Sequence, residues 1–419
     1  MKLLTYNVRG LGSMAKRRVI RELVTKEQVE LVCIQETKLE VMDRGLCAQI
    51  WGDSDFSWLA QPAVNRAGGL LCIWKHDLFK VSASFSDNGF LGLVGAWGSD
   101  DVNCVIVNVY SSCNLEEKRI MWASLLQWRG FNQSLVWCLD GDFNAVRGLE
   151  ERRGISTGSQ HQMREISEFN NFVTEMSLVD IPLAGRKFTW LRPNGQAQSR
   201  IDRFLVSHEW LQVWPNCSQL VLNRDISDHC PLLLRCLVQD WGPKPFNVLN
   251  CWFQDHRFPA FVKQSWEGIH IDGWGAFVLK QKLKALKSNL KSWNHEVFGD
   301  LRKRRNDAVQ RINDLDKKEE EGGLSVGDIE ERKQLLHEFW SVLKLHESLL
   351  CQKARSRWLK EGDQNSKFFH SMINWRRRSN SMVGLMVDGV WEETPLKVKE
   401  EVTDLIFLKR NLQQIPGIV

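Results

Sequence analysis

Short runs of apolar residues mark the first 240 positions of the chain, and several are continuous over four to eight residues. Continuous runs of that length are typical of strands buried on both faces of a sheet. The predicted strands are Lys2–Thr5, Leu31–Ile34, Gly69–Trp74, Val102–Val109, Leu135–Leu139, Ile201–Val206 and Leu232–Cys236. Between them, Lys16–Lys26, Glu116–Trp128 and Arg164–Met176 have the spacing of helices. The alternation predicts an α/β fold in which helices cover β-sheet layers.

The pattern changes at WGPKPF, where two prolines block regular structure and indicate a domain boundary. From Ala276 onward, apolar residues recur at alternating steps of four and three, a heptad-like seam. The seam consists of Leu279, Leu283, Leu286, Leu290, Trp293 and Val297. The acidic segment KKEEEGGLSVGD interrupts it, and a second helical pattern follows as far as Leu350. We therefore expect a mostly helical C-terminal region, either a hairpin or a small bundle without chemistry.

These patterns divide the chain into four segments. We expect an α/β domain over residues 1–238 and a linker over residues 239–275. A helical hairpin or coiled-coil-like arm should occupy residues 276–350, and its seam leaves open a pairing between chains. Residues 351–419 form a basic segment rich in aromatic side chains, followed by a tail.

Composition and charge narrow the possible classes of function. Hydrophobic residues make up 43 % of the chain and charged residues 26 %, which is ordinary for a globular protein. No apolar run reaches the ~20 residues that span a bilayer, and the N-terminus does not resemble a signal peptide, so we expect no membrane partner. The eleven cysteines include no C-x-x-C pair, which favours a reducing compartment without a zinc site or disulfide framework. The net charge is −1 over residues 1–240 and +6 over residues 241–419, and such a surplus attracts polyanions.

Polar side chains cluster where the predicted strands end or begin. They are Asn7, Glu36, Tyr110, Asp142, Asn144, Asp202, Asp228 and His229. In layered α/β proteins such positions converge on one rim. Carboxylates suit a hard divalent cation and an attacking water, while amides and an imidazolium suit a developing phosphoryl charge. Each residue alone also has a structural explanation, such as a turn at Asn7 or Asp142, so residue types by themselves do not select this set.

Six strings in order, LLTYNVRGLG, IQETK, VNVYSS, GDFNAV, SRIDRFLVS and SDHCPLLL, resemble the endonuclease/exonuclease/phosphatase superfamily. Apurinic endonucleases, exonuclease III, DNase I and inositol polyphosphate phosphatases share that fold. The resemblance covers about residues 1–238. It implies a four-layered α/β sandwich, two packed β-sheets flanked by helices, and Mg²⁺-dependent hydrolysis of phosphate esters, in which Mn²⁺ can substitute.

The resemblance also implies a role for each residue. Glu36 matches the main magnesium ligand, Asn7 a residue that supports the metal and phosphate site, and Asp228 an acidic residue near the metal. The other matches are to catalytic residues. They are Asp142, which activates or orients the attacking water; Asn144 and Tyr110, which contact the phosphate; and His229, which touches the scissile phosphate and is oriented and charged by Asp202.

The chain departs from apurinic endonucleases at Arg9, where those enzymes carry an acidic residue, and this places a second metal in doubt. The similarity is closer to the endonuclease domain of plant non-LTR (LINE-type) retrotransposons, which share NVRGLG and KFTW before SRIDRFLVS. In that branch Thr189 and Ser199 would line the DNA side of the site. Arg152 and Arg153 are further candidates for DNA contact, although solvated arginines are an equally good explanation.

The segment QKARSRWLKEGDQNSKFFHSMINWRRRSN resembles the linker that precedes the reverse transcriptase of those elements. Arginines among aromatic side chains suit neutralisation of phosphates and stacking on bases, of DNA or of element RNA. The candidates are Arg355, Arg357, Trp358, Arg376, Arg377 and Arg378. A small helical unit with a charged surface is the alternative. We expect the chain to end before a reverse transcriptase, because no Y/F-x-D-D motif is present.

The sequence thus predicts a metal-dependent endonuclease that nicks DNA and leaves a 3′-hydroxyl, with a nuclear location. Two alternatives remain open. One is a phosphomonoesterase of the same superfamily, and the other is a catalytically silent retroelement remnant that still binds nucleic acid.

Overall fold

The computed structural model of the chain describes residues 1–65, 67–132, 135–154, 159–236, 240, 242, 246–354, 384–388 and 390–412. The chain divides into two units, the first comprising Met1–Asp240 and Arg378–Val419 and the second Trp241–Arg377. Within the described ranges, no helix combines the length and the apolar character needed to cross a membrane.

Two large β-sheets form the centre of the first unit. The strands are β1 (Lys2–Asn7), β2 (Leu31–Gln35), β3 (Ser57–Gln61), β4 (Leu70–Trp74), β5 (Phe79–Asp87), β6 (Phe90–Trp97), β7 (Val102–Tyr110), β8 (Val136–Asp142), β9 (Arg152–Arg153), β10 (Leu178–Asp180), β11 (Leu183–Ala184), β12 (Trp190–Leu191), β13 (Gln198–Ser199), β14 (Asp202–Ser207), β15 (Cys217–Val221), β16 (Leu232–Cys236), β17 (Leu385–Val387) and β18 (Val390–Glu392). One sheet has seven strands in the order β11-β15-β16-β1-β2-β4-β3, and the other has six in the order β10-β14-β8-β7-β6-β5. Strands β12, β13 and β9 form a small third sheet, and β17 pairs with β18.

Helices cover the outer face of each large sheet. They are α1 (Met14–Glu27) and α2 (Arg44–Trp51) on one side and α3 (Leu115–Phe131) and α4 (Gln160–Glu175) on the other. The first unit also contains α5 (His208–Val213), whose Trp210 and Leu211 pack between the sheets, and α10 (Pro395–Leu412). Successive side chains of a strand point to opposite faces. Leu3 of β1 therefore packs between the sheets with Ile106 of β7, while its neighbour Leu4 packs against Ile20 of α1. On the other side, Val107 of β7 packs with Trp122 of α3. Helix, sheet, sheet and helix form four layers, and the predicted fold class is confirmed.

The second unit is helical. Its helices are α6 (Phe258–Glu267), α7 (Gly275–Val297), α8 (Leu301–Gly322) and α9 (Val326–Ala354). An aromatic cluster forms its core, in which Trp293 of α7 contacts Trp252, Phe258 and Phe298. Helices α8 and α9 pair through charges, among them Arg304 with Glu338 at 2.8 Å and Lys318 with Asp328 at 2.7 Å.

This unit differs from the predicted hairpin in two respects. The expected linker contains α6, and the first expected helix is divided into α7 and α8. The division lies at Gly299, whose φ of 57° is left-handed, a conformation that glycine adopts without strain. Only part of the heptad-like seam is buried, since Leu290 and Trp293 lie in the core while Leu279 and Leu283 are exposed.

Candidate active site

The strand register brings the predicted site residues to one rim of the first unit. Asn7 lies at the end of β1, and Tyr110 at the end of β7 lies directly opposite Asp142 at the end of β8. On its other side, Asp142 is opposite Asp202, the first residue of β14. The loop that carries Asp228 and His229 leads into β16, the neighbour of β1. The two sheets therefore contribute residues to a single cluster.

The Asp142 carboxylate is held from two sides. Its Oδ2 accepts a hydrogen bond from Asn7 Nδ2 at 2.9 Å, and its Oδ1 accepts one from the backbone N–H of Asn144 at 2.9 Å. The side chain is buried, and this burial, together with the charge of Asp202, raises the pKa of Asp142 to about 7. A carboxylate with such a pKa can take up a proton near neutral pH.

His229 lies between two carboxylates. Its Nδ1 is 3.0 Å from both oxygens of Asp202, and its Nε2 is 3.9 Å from Asp142 Oδ2, too far for a hydrogen bond. Burial lowers the pKa of His229, but the charge of Asp202 and its hydrogen bond more than offset this and raise the pKa to about 9. The imidazole is therefore a cation that Asp202 orients.

The backbone around Asp202 is held in place by contacts of the Thr189 and Arg203 side chains. The Thr189 hydroxyl accepts hydrogen bonds from the backbone N–H groups of Ile201 and Asp202, at 3.1 and 3.0 Å. Arg203, which is fully buried, donates to Asp180 at 2.7 Å and to Glu151 at 2.8 Å. These contacts fix the position from which Asp202 meets His229.

Sequence reasoning missed Arg203 as a functional residue. The signal was an arginine inside the apolar strand IDRFLV, because a guanidinium buried there requires acidic partners. Neither partner, Glu151 nor Asp180, can be identified from spacing, since they lie 52 and 23 residues away.

Asn144 sits in a turn held by a buried lysine, Lys118, which sequence reasoning also missed. Asn144 has a left-handed φ of 47°, and its side-chain Nδ2 donates to the Ser111 carbonyl at 2.7 Å. Lys118 of α3 donates to the Asn144 carbonyl at 2.7 Å and is paired with Glu165 of α4. The turn that orients both Asp142 and Asn144 is thereby tied to the outer helices.

Tyr110 faces the cluster with a phenol that stays protonated. Burial, followed by the charges of Glu36 and Asp142, raises the pKa of Tyr110 well above its usual range. A protonated phenol can donate a hydrogen bond to an anionic oxygen.

Glu36 and Asp228 are two largely buried carboxylates that face cationic side chains. Arg9 Nη1 donates to Asp228 Oδ2 at 2.6 Å, and Arg9 Nε is 3.7 Å from Glu36 Oε2. Lys38 Nζ lies 2.9 Å from Glu36 Oε1, and Trp190 Nε1 donates to Asp228 Oδ2 at 2.9 Å. Unlike Glu36 and Asp228, Arg9 and Lys38 have side chains that are 49 % and 43 % exposed. The carboxylates of Glu36 and Asp228 therefore attract positive charge to this corner of the rim.

Two groups of side chains at the rim could supply ligands to a hard cation such as Mg²⁺. Glu36, Asp228 and the Asn7 side-chain carbonyl offer oxygen, the ligand type that Mg²⁺ prefers. Asp142, Asp202 and His229 also form a group whose ligand atoms lie within 4.8 Å of one another. In that group the histidine is already hydrogen-bonded to Asp202 and is cationic, which suits a charge-paired triad better than a magnesium site. The residues at Glu36 and Asp228 therefore fit the metal that the resemblance implies.

The predicted DNA-side residues lie in or beside the small third sheet. Thr189 and Ser199 are buried, and the Arg152 guanidinium is 3.7 Å from Glu165. Arg153 is exposed. The remaining candidates, Arg355, Arg357, Trp358, Arg376, Arg377 and Arg378, lie outside the described residues.

Solved structures that are similar to the chain include three that each cover more than half of it. The AP endonuclease LMAP from Leishmania major is 18 % identical, covers 56 % of this chain and 86 % of its own, and has a TM-score of 0.46. The endonuclease domain of TRAS1, a telomere-specific non-LTR retrotransposon, is 12 % identical, with coverage of 57 % and 99 % and a TM-score of 0.42. The Xenopus laevis APE2 catalytic domain is 14 % identical, with coverage of 56 % and 91 % and a TM-score of 0.42.

No curated protein matches the chain. Residues 4–229, more than half of the sequence, match the model of the Endonuclease/Exonuclease/phosphatase family. The chain therefore belongs to the Endonuclease/Exonuclease/phosphatase family.

Proposed function

We propose that the chain is a metal-dependent DNA endonuclease that nicks one phosphodiester, as in target-site cleavage by non-LTR retrotransposons. The observation that carries the proposal is the buried group of Asp142, Asp202 and His229, with Asn7 and Asn144 orienting Asp142. Such a group offers a proton acceptor and a fixed cationic donor within a few ångströms of each other. Hydrolysis of a phosphate ester requires both.

His229 stabilises the negative charge that develops on the scissile phosphate. Asp202 contacts Nδ1 with both of its oxygens, so Nε2 is left to donate to a phosphoryl oxygen. The donor is oriented before the substrate arrives, so it costs little reorganisation during the reaction.

Asp142 orients the attacking water and accepts its proton. Asn7 and the Asn144 backbone fix the two carboxylate oxygens, and burial keeps the carboxylate weakly hydrated. The 3.9 Å gap between Asp142 and His229 Nε2 is wide enough for an oxygen atom to interact with both groups.

Glu36, Asp228 and Asn7 would hold Mg²⁺, which when bound would neutralise phosphate oxygens; Mn²⁺ can substitute. Tyr110 donates to the phosphate through its protonated hydroxyl. Asn144 uses one amide hydrogen on the Ser111 carbonyl, and its second amide hydrogen is the one offered to the phosphate.

DNA approaches over the small third sheet. Arg153 is exposed there and suits a backbone phosphate. Three further predicted DNA-side residues have largely buried side chains: Thr189, Ser199 and Arg152. They therefore contribute by shaping the surface of that sheet rather than by contacting the DNA directly. The +6 charge of residues 241–419 supports a second contact with DNA or element RNA through the basic aromatic segment. A retroelement endonuclease of this kind would act in the nucleus.

Supercoiled plasmid incubated with the full chain and Mg²⁺ tests the proposal. Nicked circles should form, and chelation should abolish them. Glu36→Ala should impair nicking and recover partly at high Mg²⁺, because it weakens a metal ligand without touching Asp142 or His229. An inert plasmid that is still bound would contradict the proposal and favour the catalytically silent remnant.

A further inference from the structure

Arg9 joins the two carboxylates of the proposed metal site. Its Nη1 donates to Asp228 at 2.6 Å, and its Nε lies 3.7 Å from Glu36. Arg9 and Asp228 are 219 positions apart in the sequence, so their contact exists only in the folded protein. A cation supplied by the chain itself thus occupies the carboxylates that a divalent ion would need.

The backbone at Arg9 is held by hydrogen bonds, whereas its side chain reaches the solvent. Arg9 has a left-handed φ of 46°, its N–H donates to Asn7 Oδ1 at 3.2 Å, and its carbonyl accepts from Lys16 Nζ at 3.3 Å. Its side chain is 49 % exposed. The guanidinium can therefore swing into solvent without disturbing the strand ends that carry Asn7 and Glu36.

We propose that Arg9 is an internal competitor of the divalent cation at Glu36 and Asp228. The guanidinium pairs with Asp228 and, alongside Lys38, with Glu36, and it leaves both carboxylates when the ion binds. Once displaced, the fork of N–H groups lies at the rim and suits a phosphate oxygen of the DNA. The proposal rests on the proposed function, since it needs the metal at this pair.

Binding of Mn²⁺ alone to the full chain, followed by the electron paramagnetic resonance of free Mn²⁺, tests the competition. Arg9→Gln should lower the Kd for Mn²⁺ by about tenfold or more, since a unit charge within ~6 Å of a divalent ion matters to that extent even in water. The matched control is Arg44→Gln, because Arg44 contacts the Ser54 carbonyl and the Phe56 ring rather than the rim.

The outcomes separate this inference from the proposed function. Equal or weaker Mn²⁺ binding by Arg9→Gln, or the same gain in Arg44→Gln, would overturn the competition. Mn²⁺ binding that Glu36→Gln leaves unchanged would contradict the metal site itself. Tighter binding in Arg9→Gln alone, lost again in the double variant with Glu36→Gln, supports both.

A separate observation concerns two cysteines far from that corner. Cys217 of β15 and Cys236 of β16 lie directly opposite each other, with Sγ atoms 2.7 Å apart. The Cys236 N–H donates at 3.2 Å to the carbonyl of Met1, the residue before β1, and so points away from β15. The pair with Cys217 is therefore a non-hydrogen-bonded one, in which side chains approach most closely. This separation is shorter than the ~3.5–4.0 Å of ordinary non-bonded contact.

A second pair provides the comparison. Cys33 of β2 and Cys72 of β4 are also directly opposite, but their Sγ atoms are 3.8 Å apart and both are completely buried between the sheets. Cys236, in contrast, is partly exposed at the end of its strand. The sulfur atoms of Cys217 and Cys236 are close together, and a dissolved oxidant can reach Cys236. The sulfur atoms of Cys33 and Cys72 are farther apart and buried from solvent.

We infer that Cys217 and Cys236 form a reversible disulfide when the chain meets a peroxide. The Cys236 thiolate attacks one peroxide oxygen, giving a sulfenic acid and a hydroxide, which becomes water by taking up the proton that the thiol released. Cys217 then attacks that sulfur, the S–S bond forms, and a second water leaves. Two thiols lose two electrons, and the peroxide gains them.

Peptide mapping of the full chain after mild hydrogen peroxide tests this inference. A cross-linked pair of peptides containing Cys217 and Cys236 should appear, vanish with dithiothreitol, and raise the Tm by roughly 5 °C or more while present. Cys236→Ser should abolish both effects, and Cys33→Ser should leave them intact. Oxidation confined to the exposed Cys113, or a Cys236 sulfinic acid without a cross-link, would overturn it.

Discussion

His229 and Asp202 should behave as one unit in catalysis. In the proposed mechanism His229 is the buried donor to the scissile phosphate, so His229→Ala removes it, and loss of one such donor costs about 10²–10³ in rate. Asp202→Asn keeps an oxygen for Nδ1, at present 3.0 Å away, but removes the negative charge that keeps the imidazole protonated. We expect a loss of the same order in each single variant.

The double variant gives the decisive magnitude. If the two residues acted independently, their losses would multiply to about 10⁴ or more, whereas a unit should lose no more than about 10²–10³ in total. The assay is conversion of supercoiled plasmid to nicked circles with enzyme in excess, alongside DNA affinity measured in chelator. His161→Ala, which removes an exposed histidine of α4, is the control and should nick at the wild-type rate.

Two results would refute this reasoning. His229→Ala that nicks at close to the wild-type rate would remove the histidine from the mechanism. Losses that multiply in the double variant would show that Asp202 acts apart from His229, for example by holding the strand.

Three further predictions follow from the two units and the core. A fragment of residues 1–240 should fold alone, because all three large apolar clusters lie within it; circular dichroism without a cooperative melt would contradict this. Deleting residues 276–419 should flatten the dependence of log K on log salt for DNA binding, since the positive charge lies in the second half; an unchanged slope would show that the charge asymmetry is irrelevant. Asp140 is fully buried, and its burial raises its pKa to about 7, so the folded chain holds a proton there that the unfolded chain releases above about pH 4. Stability should therefore fall as pH rises from 4 to 7, and Asp140→Asn should remove about 2–4 kcal/mol of that loss in urea titrations; parallel pH profiles for the two proteins would contradict it.

The central strands could be predicted because they are buried on both faces. LVCI and VWCL are continuous apolar runs for that reason, and they lie in β2 and β8. Strand β6 was harder to recognise, because Gly92 and Gly95 interrupt its apolar pattern. The structure gives the cause at Gly92, where a Cβ would lie 2.3 Å from the Phe85 ring. Because a side chain at position 92 would clash with Phe85, the strand has a glycine there, and its pattern of apolar residues is interrupted.

The site was predictable only as far as the motifs extend. The resemblance identified Asn7, Asp142, Asp202 and His229, and the structure brings their side chains together. The contacts of Arg9 were not predictable, because its carboxylate partners come from other strands and loops. The same holds for Lys118, whose role depends on the position of α3 beneath the Asn144 turn. Sequence spacing does not encode such distances.

In the proposed function, Asp142 and the groups around it hydrolyse a DNA phosphodiester. The most direct measurement compares the wild-type chain with Asp142→Ala on supercoiled plasmid in Mg²⁺ and then extends the nick with a DNA polymerase. We predict that the wild-type chain leaves 3′-hydroxyl ends that the polymerase extends without prior phosphatase treatment. Asp142→Ala should bind DNA equally well and leave the plasmid intact. Equal nicking by the two proteins, or wild-type ends that cannot be extended, would contradict the account.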